Sequence, residues 1–358
     1  MSVRKLKNLR GQIDRIDRRL LDLLNERSKV ALQVGKIKRE ARKDVYAPVR
    51  EKELLDGLVR RNRGPFPNHA VRAVFREVVS ASRALQSPLK ASYFGPEGSF
   101  TNLAALKYFG RSTDLVPEPS ISKVFGAVEQ DRADFGVVPI ENSTEGIVGP
   151  TLDQFIDSTL NILGEITLPV AHHLLSREGS LKGIRRIYSH PQAIAQCRNW
   201  LEQNVPGIPA IEAENTARAA EKAAEDAGSA AIAGEYAGEV YGLKVVKRHI
   251  EDNPNNMTRF WVIGKKFPPK SGNDKTSILF SVKDEVGILY RMLEPFWKNR
   301  INLTKIESRP LKKKAWEYIF FLDMDGHYDE KRVKDAIQGL DRRCLFLKLL
   351  GSYPKANH

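Results

Sequence analysis

The sequence predicts a multidomain chain: an all-α first segment, an α/β middle and a small α+β end. Three observations predict it. Apolar residues recur at heptad spacing from Leu6 to Ile37, strand–turn–helix punctuation repeats from about residue 90 to 268, and the elements after residue 274 read in the order βαββαβ. A chain of 358 residues has room for two or three domains.

Composition narrows the class. Hydrophobic content of 41% with 28% charged residues is ordinary for a globular protein. No apolar run reaches the ~18 residues that a membrane span needs. Met1 to Asn8 is basic but leads into no apolar core, so no secretory signal is expected. Cys197 and Cys344 are the only cysteines, which points to a reducing, cytoplasmic setting. The net charge of +14 is uneven: residues 1–88 hold 22 Lys and Arg against 10 Asp and Glu. A basic helical segment fits nucleic acid, a membrane surface or a small dianion.

In the first segment, Leu6, Leu9, Ile13, Ile16, Leu20, Leu23, Val30, Val34 and Ile37 form an a/d seam, which predicts one helix over about Lys5–Arg42. Arg27 stands in the seam where an apolar residue belongs. A charge there either snorkels past a bend or meets a ligand. Arg10 and Lys38 flank the seam at another shared heptad position. Arg10 lies about 25 Å from Arg27 along the axis, and Lys38 about 16 Å on the other side. Arg27 and Lys38 can therefore close on one small ligand, while Arg10 can join only from an antiparallel partner helix. A second helix starts near Pro48 and carries Arg50 and Glu51; Gly64, Pro65 and Pro67 end it. A third, about Asn68–Gln86, places Phe75, Val78, Val79 and Ser82 on one face, with Gln86 a turn beyond.

This segment resembles the all-helical chorismate mutase family, through Leu9-Arg10, Ile13-Asp14, Ile16-Asp17, Leu23-Leu24-Asn25-Glu26-Arg27, Lys36-Ile37-Lys38, Arg50 to Leu55, Phe75-Arg76-Glu77 and Ser82. The resemblance implies that Arg27 and a partner's Arg10 hold the substrate carboxylates, that Lys38 and Gln86 bond the ether oxygen, and that Glu51 holds the ring hydroxyl. Arg50 and Ser82 would line the pocket. Ala47 replaces a frequent Asp, leaving only a backbone contact there. Rearranging chorismate to prephenate needs no acid, base or nucleophile, only a compact conformer and stabilised charge on the breaking ether bond.

Ser87 to Lys90 reads as a linker. Ala91–Phe94 is a strand, Gly95–Gly98 a turn, and Ser99 an N-cap. The same punctuation follows Phe135–Pro139, Ile187–Ser189, Ile211–Glu214 and Ala230–Ala233, which predicts largely parallel sheets. Helix starts after such turns favour anions, and convergent ones make a carboxylate site. His172, His173 and His190 have capping or packing as their default role. From Glu251 to Ile263 a polar turn becomes a strand, with Thr258 and Arg259 at the seam.

In order and wording these turns resemble prephenate dehydratase. The matching stretches are Gly95 to Thr101, Val138 to Ser143, His190-Pro191-Gln192-Ala193, Asn215-Thr216-Ala217, Ala231-Ile232-Ala233 and Thr258-Arg259-Phe260. The resemblance implies two α/β lobes around a cleft, like a periplasmic binding protein. Thr258 would be the key residue, and Ser99, Thr101, Asn142, Ser143, Gln192, Asn215, Thr216, Arg259 and Phe260 would bind substrate. The residues offer no metal set or phosphate loop, so no cofactor is expected.

Lys266 to Asn273 reads as a second linker. Strand Thr276–Val282, helix Ile288–Lys298, strands Asn302–Ser308 and Trp316–Met324, helix Glu330–Leu340 and strand Leu345–Leu349 make a ferredoxin-like plan. It resembles the ACT regulatory domain. Gly287-Ile288-Leu289 and Glu307-Ser308-Arg309-Pro310 match the motifs that form a phenylalanine site between two subunits, with Ile288 where Ala is usual.

Together the resemblances imply domains at 1–88, 91–268 and 274–358, and a chain converting chorismate to prephenate and then to phenylpyruvate. Phenylalanine would be its effector, and a homodimer or larger assembly would share Arg10. The competing reading is a ligand-sensing regulator whose basic helices bind DNA. Against it, the seam occupies the helices in pairing, and no basic helix with interleaved aromatics stands out. Neither nucleic acid nor membrane is the expected partner.

Overall fold

The computed structural model of the chain describes residues 2–41, 46–283, 285–310 and 318–356. It divides into two compact units: residues 1–89 with 109–114, and residues 90–108 with 115–358.

The first unit is built on helices α1 (Ser2–Glu40), α2 (Pro48–Arg61) and α3 (Asn68–Gln86). The expected end of α1 at Arg42 lies outside the described residues. Pro48 opens α2, where its missing N–H costs nothing. Gly35 lets α3 approach α1, since a Cβ there would stand 2.7 Å from Gln86 Cγ. The seam of α1 is uncovered among the described residues, with Leu6 at 49%, Ile13 at 56% and Ile37 at 64% exposure.

The second unit opens with a lobe of β1 (Lys90–Phe94), α4 (Phe100–Phe109), β2 (Asp114–Glu118), α5 (Ile121–Glu129), β3 (Phe135–Asn142), β4 (Gly146–Ile147), α6 (Gly149–Asp157) and β5 (Asn161–Pro169). The chain crosses to a second lobe of β6 (His173–Ser176), β7 (Arg186–Ser189), α7 (Pro191–Gln196), α8 (Arg198–Asn204), β8 (Ala210–Glu212), α9 (Thr216–Glu225), β9 (Ser229–Ala233), α10 (Glu235–Tyr241) and β10 (Lys244–Lys247). Strand β11 (Met257–Gly264) then returns to the first lobe. The sheets run β2-β1-β3-β11-β5, with β4 beside β3, and β10-β6-β9-β7-β8.

The sheets are mixed rather than largely parallel. Strand β11 is antiparallel to both β3 and β5, and β6 is antiparallel to β9 and β10. The cause is the double crossing: a chain that leaves a lobe and returns re-enters its sheet in the opposite sense. The two crossings touch, Val170 N donating to Asn256 O at 2.8 Å.

The C-terminal module has β12 (Asp274–Val282), α11 (Ile288–Lys298), β13 (Leu303–Pro310), β14 (Tyr318–Asp325), α12 (Lys331–Asp341) and β15 (Phe346–Pro354), in sheet order β13-β14-β12-β15. The expected strand start at Trp316 lies outside the described residues. This sheet shares a core with the first lobe: Phe125, Phe155, Trp261, Leu279, Phe321 and Tyr353 belong to one buried cluster. Strand β15 comes so near β5 that a Cβ on Gly351 would stand 2.3 Å from Ile162 O. Among the described residues no helix is long and apolar enough to cross a membrane.

Candidate active sites

In the helical unit a pocket of about 650 Å³ is lined by Leu23, Glu26, Arg27, Val30, Ala31 and Val34 of α1, Arg50 of α2 and Gln86 of α3. Arg27 donates to Ser82 Oγ, which donates onward to Val78 O at 2.7 Å, so α3 fixes the guanidinium at the wall. Gln86 Nε2 donates to Ser82 O at 3.3 Å, while its Oε1 is buried without a partner among the described residues. Of the expected set, Arg27, Arg50 and Gln86 line the pocket and Ser82 backs it. Lys38 is half-buried outside the lining, and Arg10 is exposed along α1. The Ala47 carbonyl accepts the Glu51 N–H at 3.0 Å, an ordinary first-turn bond, and Ala47 does not line the pocket.

Glu51 departs from its expected place. Both its oxygens accept from Arg83 Nη1, at 2.8 and 2.9 Å, and it does not line the pocket. Burial raises its pKa above the ordinary value, against the opposing pull of Arg83 and Lys38. Arg83 is itself buried, with its guanidinium 5.0 Å from the Tyr46 ring centroid. A buried cation on α3 needs an anion, and Glu51 supplies it.

Between the two lobes lies a cleft of about 440 Å³. The first lobe contributes Ser99, Phe100 and Thr101 at the start of α4, Asn142 at the end of β3, and the turn Glu145–Val148. The second contributes His190, Gln192 and Gln196 along α7, and Asn215 and Thr216 at the start of α9. Thr258 and Phe260 come from β11. The predicted caps form: Ser99 Oγ accepts from Asn102 N at 3.2 Å, and Asn215 Oδ1 from Arg218 N at 2.9 Å. Among the described residues the lining holds no Lys or Arg, and it includes the carboxylates Glu145 and Glu214. An anion here would meet hydroxyls, amides and helix N-termini rather than cations.

Thr258 sits where β11 pairs with the end of β3, Thr258 opposite Asn142. Asn142 Nδ2 donates to Thr258 Oγ1 at 2.8 Å and to Asn256 Oδ1 at 2.7 Å. Asn256, Gln196 and His172 also line this cleft, and the sequence reading did not place them there. Two had a usable signal. Asn256 is two residues before Thr258, just ahead of β11, so the alternation turns both the same way, and Gln196 is one helical turn after Gln192.

Two expected cleft residues lie elsewhere. Arg259 points to the other face of its sheet, with Nη1 2.8 Å from Asp323 Oδ2 of β14. Successive strand residues face opposite sides, so Thr258 and Arg259 cannot share a cleft. Ser143 clamps the turn, its Oγ accepting from Met257 N at 2.9 Å and donating to Asn255 O at 3.1 Å.

Burial lowers the pKa of His172, against the Gln196 bond and Glu251; burial and the neighbouring His249 lower that of His173. An unfolded chain takes up these protons near pH 6.5, and the folded chain resists them. Their contribution to stability is therefore complete above about pH 6.5 and lost as pH falls. The thermal midpoint of the dehydratase unit is expected to be lower at pH 5.5 than at 7.5, with a smaller difference in His172→Gln. An equal drop in that variant would assign the effect to other groups.

In the C-terminal module, Gly287 begins α11 with φ +76°, and Ile288 and Leu289 form its first turn. Pro310 pairs with Tyr318, which pairs with Val282, so both expected motifs lie at one end of the sheet. Glu307 is half-buried and Ser308 exposed. Arg309, expected at the effector site, instead reaches α6, 3.1 Å from Asp153. Strand β13 is an edge strand whose inward face lies on the dehydratase lobe, and Arg309 is on that face.

The geometry defines a multidomain chain with a pocket in its helical unit and a cleft in a two-lobed α/β unit that shares its core with a ferredoxin-like module. Family models match the chain as chorismate mutase type II over residues 9–87, prephenate dehydratase over 91–268 and ACT domain over 276–342. A bifunctional chorismate mutase/prephenate dehydratase of Aquifex aeolicus is 49% identical over 356 residues, covering 98% of each chain. One of Pseudomonas aeruginosa is 43% identical over 358 residues, again covering 98% of each. The prephenate dehydratase of Arthrobacter aurescens, solved in complex with L-Phe, aligns with TM-score 0.69 at 34% identity, covering 74% of this chain and 90% of that one. The chain belongs to the family of bifunctional chorismate mutase/prephenate dehydratases, enzymes that join an isomerase and a lyase, and it carries an ACT domain.

Proposed function

We propose that the chain takes chorismate to phenylpyruvate in phenylalanine biosynthesis, in the cytoplasm, under feedback from phenylalanine. The domains are set at 1–88, 91–268 and 274–358. The observation that carries the second step is Thr258 in a cleft with no Lys or Arg among its described residues, its hydroxyl oxygen occupied by an Asn142 N–H.

In the helical unit Arg27 binds a carboxylate, Arg50 lines the pocket, and Lys38 and Gln86 stabilise the ether oxygen as its bond breaks. The uncovered seam of α1 supports a homodimer in which a partner's Arg10 completes the pocket. In the cleft, the N-termini of α4 and α9 take the carboxylates of prephenate. The ring carboxylate leaves as carbon dioxide, its electron pair enters the ring, and hydroxide departs as the ring becomes aromatic. Thr258 donates a hydrogen bond to the departing oxygen. Regulation is supported by the ACT match and by the L-Phe complex of the Arthrobacter aurescens relative.

Given chorismate alone, the purified chain should release phenylpyruvate. Accumulated prephenate would remove the dehydratase assignment, and unchanged chorismate would remove both. Lys38→Ala should lower mutase turnover on the order of 10³-fold, with conversion of added prephenate intact. Near-parental mutase turnover would take Lys38 out of the site.

A further inference from the structure

A run of side-chain hydrogen bonds crosses between the lobes along the wall of the cleft, and its direction is fixed atom by atom. Asn142 sets it. Its Oδ1 accepts the backbone N–H groups of Thr144 at 2.9 Å and Glu145 at 3.1 Å. Those donors cannot be reversed, so the other end of the carboxamide is the NH₂ group. That Nδ2 donates to Thr258 Oγ1 and, at 2.7 Å, to Asn256 Oδ1. Asn256 must then present its own Nδ2 to Gln196 Oε1, 3.2 Å away. Gln196 Oε1 lies 2.9 Å from His172 Nε2, and an oxygen can only accept there, so Nε2 carries the hydrogen.

The far end supports the same direction independently. His172 is 3% exposed, and its Nδ1 is buried with no partner among the described residues. A buried bare lone pair is tolerated better than a buried orphan N–H. The chain is thus pinned at both ends, by a backbone turn and by an imidazole tautomer. Reversing the imidazole would turn the Gln196 amide, then that of Asn256, and set two NH₂ groups against each other at Asn142. At the near end the Thr258 hydroxyl already accepts, and its hydrogen bonds no described residue.

We infer that His172 is a positioning residue for the dehydratase, its Nε2–H anchoring a one-way amide chain that leaves the Thr258 hydroxyl free to donate into the cleft. The inference rests on the reading of Thr258 as donor to the leaving oxygen. It gives a buried histidine at the cleft wall a task that runs through the amides to Thr258. It also makes Asn256 and Gln196 the links that carry the direction.

The test uses the full chain with prephenate as substrate. His172→Phe keeps an aromatic ring against Phe100, whose centroid is 6.4 Å from that of His172, but has no N–H. It should lower kcat about tenfold, the weight of one hydrogen bond, with KM within about twofold. His172→Gln restores a donor and should recover kcat to within about threefold. Nitrogen-15 NMR of the parent chain should show His172 as the neutral Nε2–H tautomer. A Nδ1–H tautomer would overturn the inference, as would an unchanged kcat in His172→Phe or a failure of Gln to rescue it. If His172→Phe is inert while Thr258→Val is inactive, only this inference falls. If Thr258→Val stays active, the donor reading falls.

Discussion

Arg259→Ala is expected to destabilise the dehydratase unit by about 3–5 kcal/mol, the cost of leaving a buried charge without its partner. Arg259 is enclosed by three carboxylates: its Nη1 is 2.8 Å from Asp323 Oδ2 and 3.7 Å from Glu165 Oε2, and its Nε is 3.5 Å from Glu141 Oε2. Asp323 is fully buried. Lys275 pairs with Glu165 at 3.0 Å and Lys305 with Glu141, so three cations balance three anions. Burial works against the Arg259 charge, but Asp323, Tyr353 and the two glutamates outweigh it and hold the pKa above its ordinary value. Removing Arg259 strands a net negative charge between the dehydratase sheet and the ACT sheet. Arg248, paired with Glu235 at the surface with side chains 56% and 41% exposed, is the control. Arg248→Ala should leave the midpoint nearly unchanged, since a solvated surface pair contributes little. The check is the urea midpoint of dehydratase unfolding, and equal shifts for the two variants would mean that water already reaches the Arg259 network.

Arg259 also marks how far the sequence could be read. Long periodic signals carried the fold: the heptads of α1, the caps at Ser99 and Asn215, and the βαββαβ order all recur as expected. Local strings located the cleft through Asn142, Gln192 and Thr258. The structure departs from expectation where a contiguous string divides between two faces. Thr258-Arg259-Phe260 is one motif, but a strand has two faces, and Arg259 serves the module behind the sheet. Asn142-Ser143 divides in the same way, one residue lining the cleft and the next clamping a turn. Arg309 belongs to an effector motif yet binds Asp153. Period-2 alternation is by itself enough to separate Arg259 from Thr258. The partners Asp323 and Asp153 are 64 and 156 positions away from their arginines, and no local pattern announces them. His172 had no local signal either, because its role depends on Gln196 and Asn256 meeting across two crossings of the chain.

Thr258→Val should lower dehydratase kcat by about 10²–10³-fold while mutase turnover in the same chain stays at the parental level. Valine keeps the branched shape, so β11 and the core behind Phe260 and Trp261 lose no volume. What disappears is the hydroxyl hydrogen. Decarboxylation pushes an electron pair into the ring, and negative charge grows on the leaving oxygen as the transition state forms. In a cleft with no Lys or Arg among its described residues, a donor aimed at that oxygen stabilises a charge that the ground state lacks. Such an interaction acts on kcat more than on KM. A free threonine is far too weak an acid to give up its proton early, so the stabilisation is that of a hydrogen bond, with solvent completing the water. Thr258→Ser keeps both the acceptor for Asn142 and the hydrogen, and should retain most of the turnover. If Thr258→Val instead raised KM and spared kcat, Thr258 would hold prephenate without assisting its breakdown, and the N–H groups at the starts of α4 and α9 would be the next donors to examine.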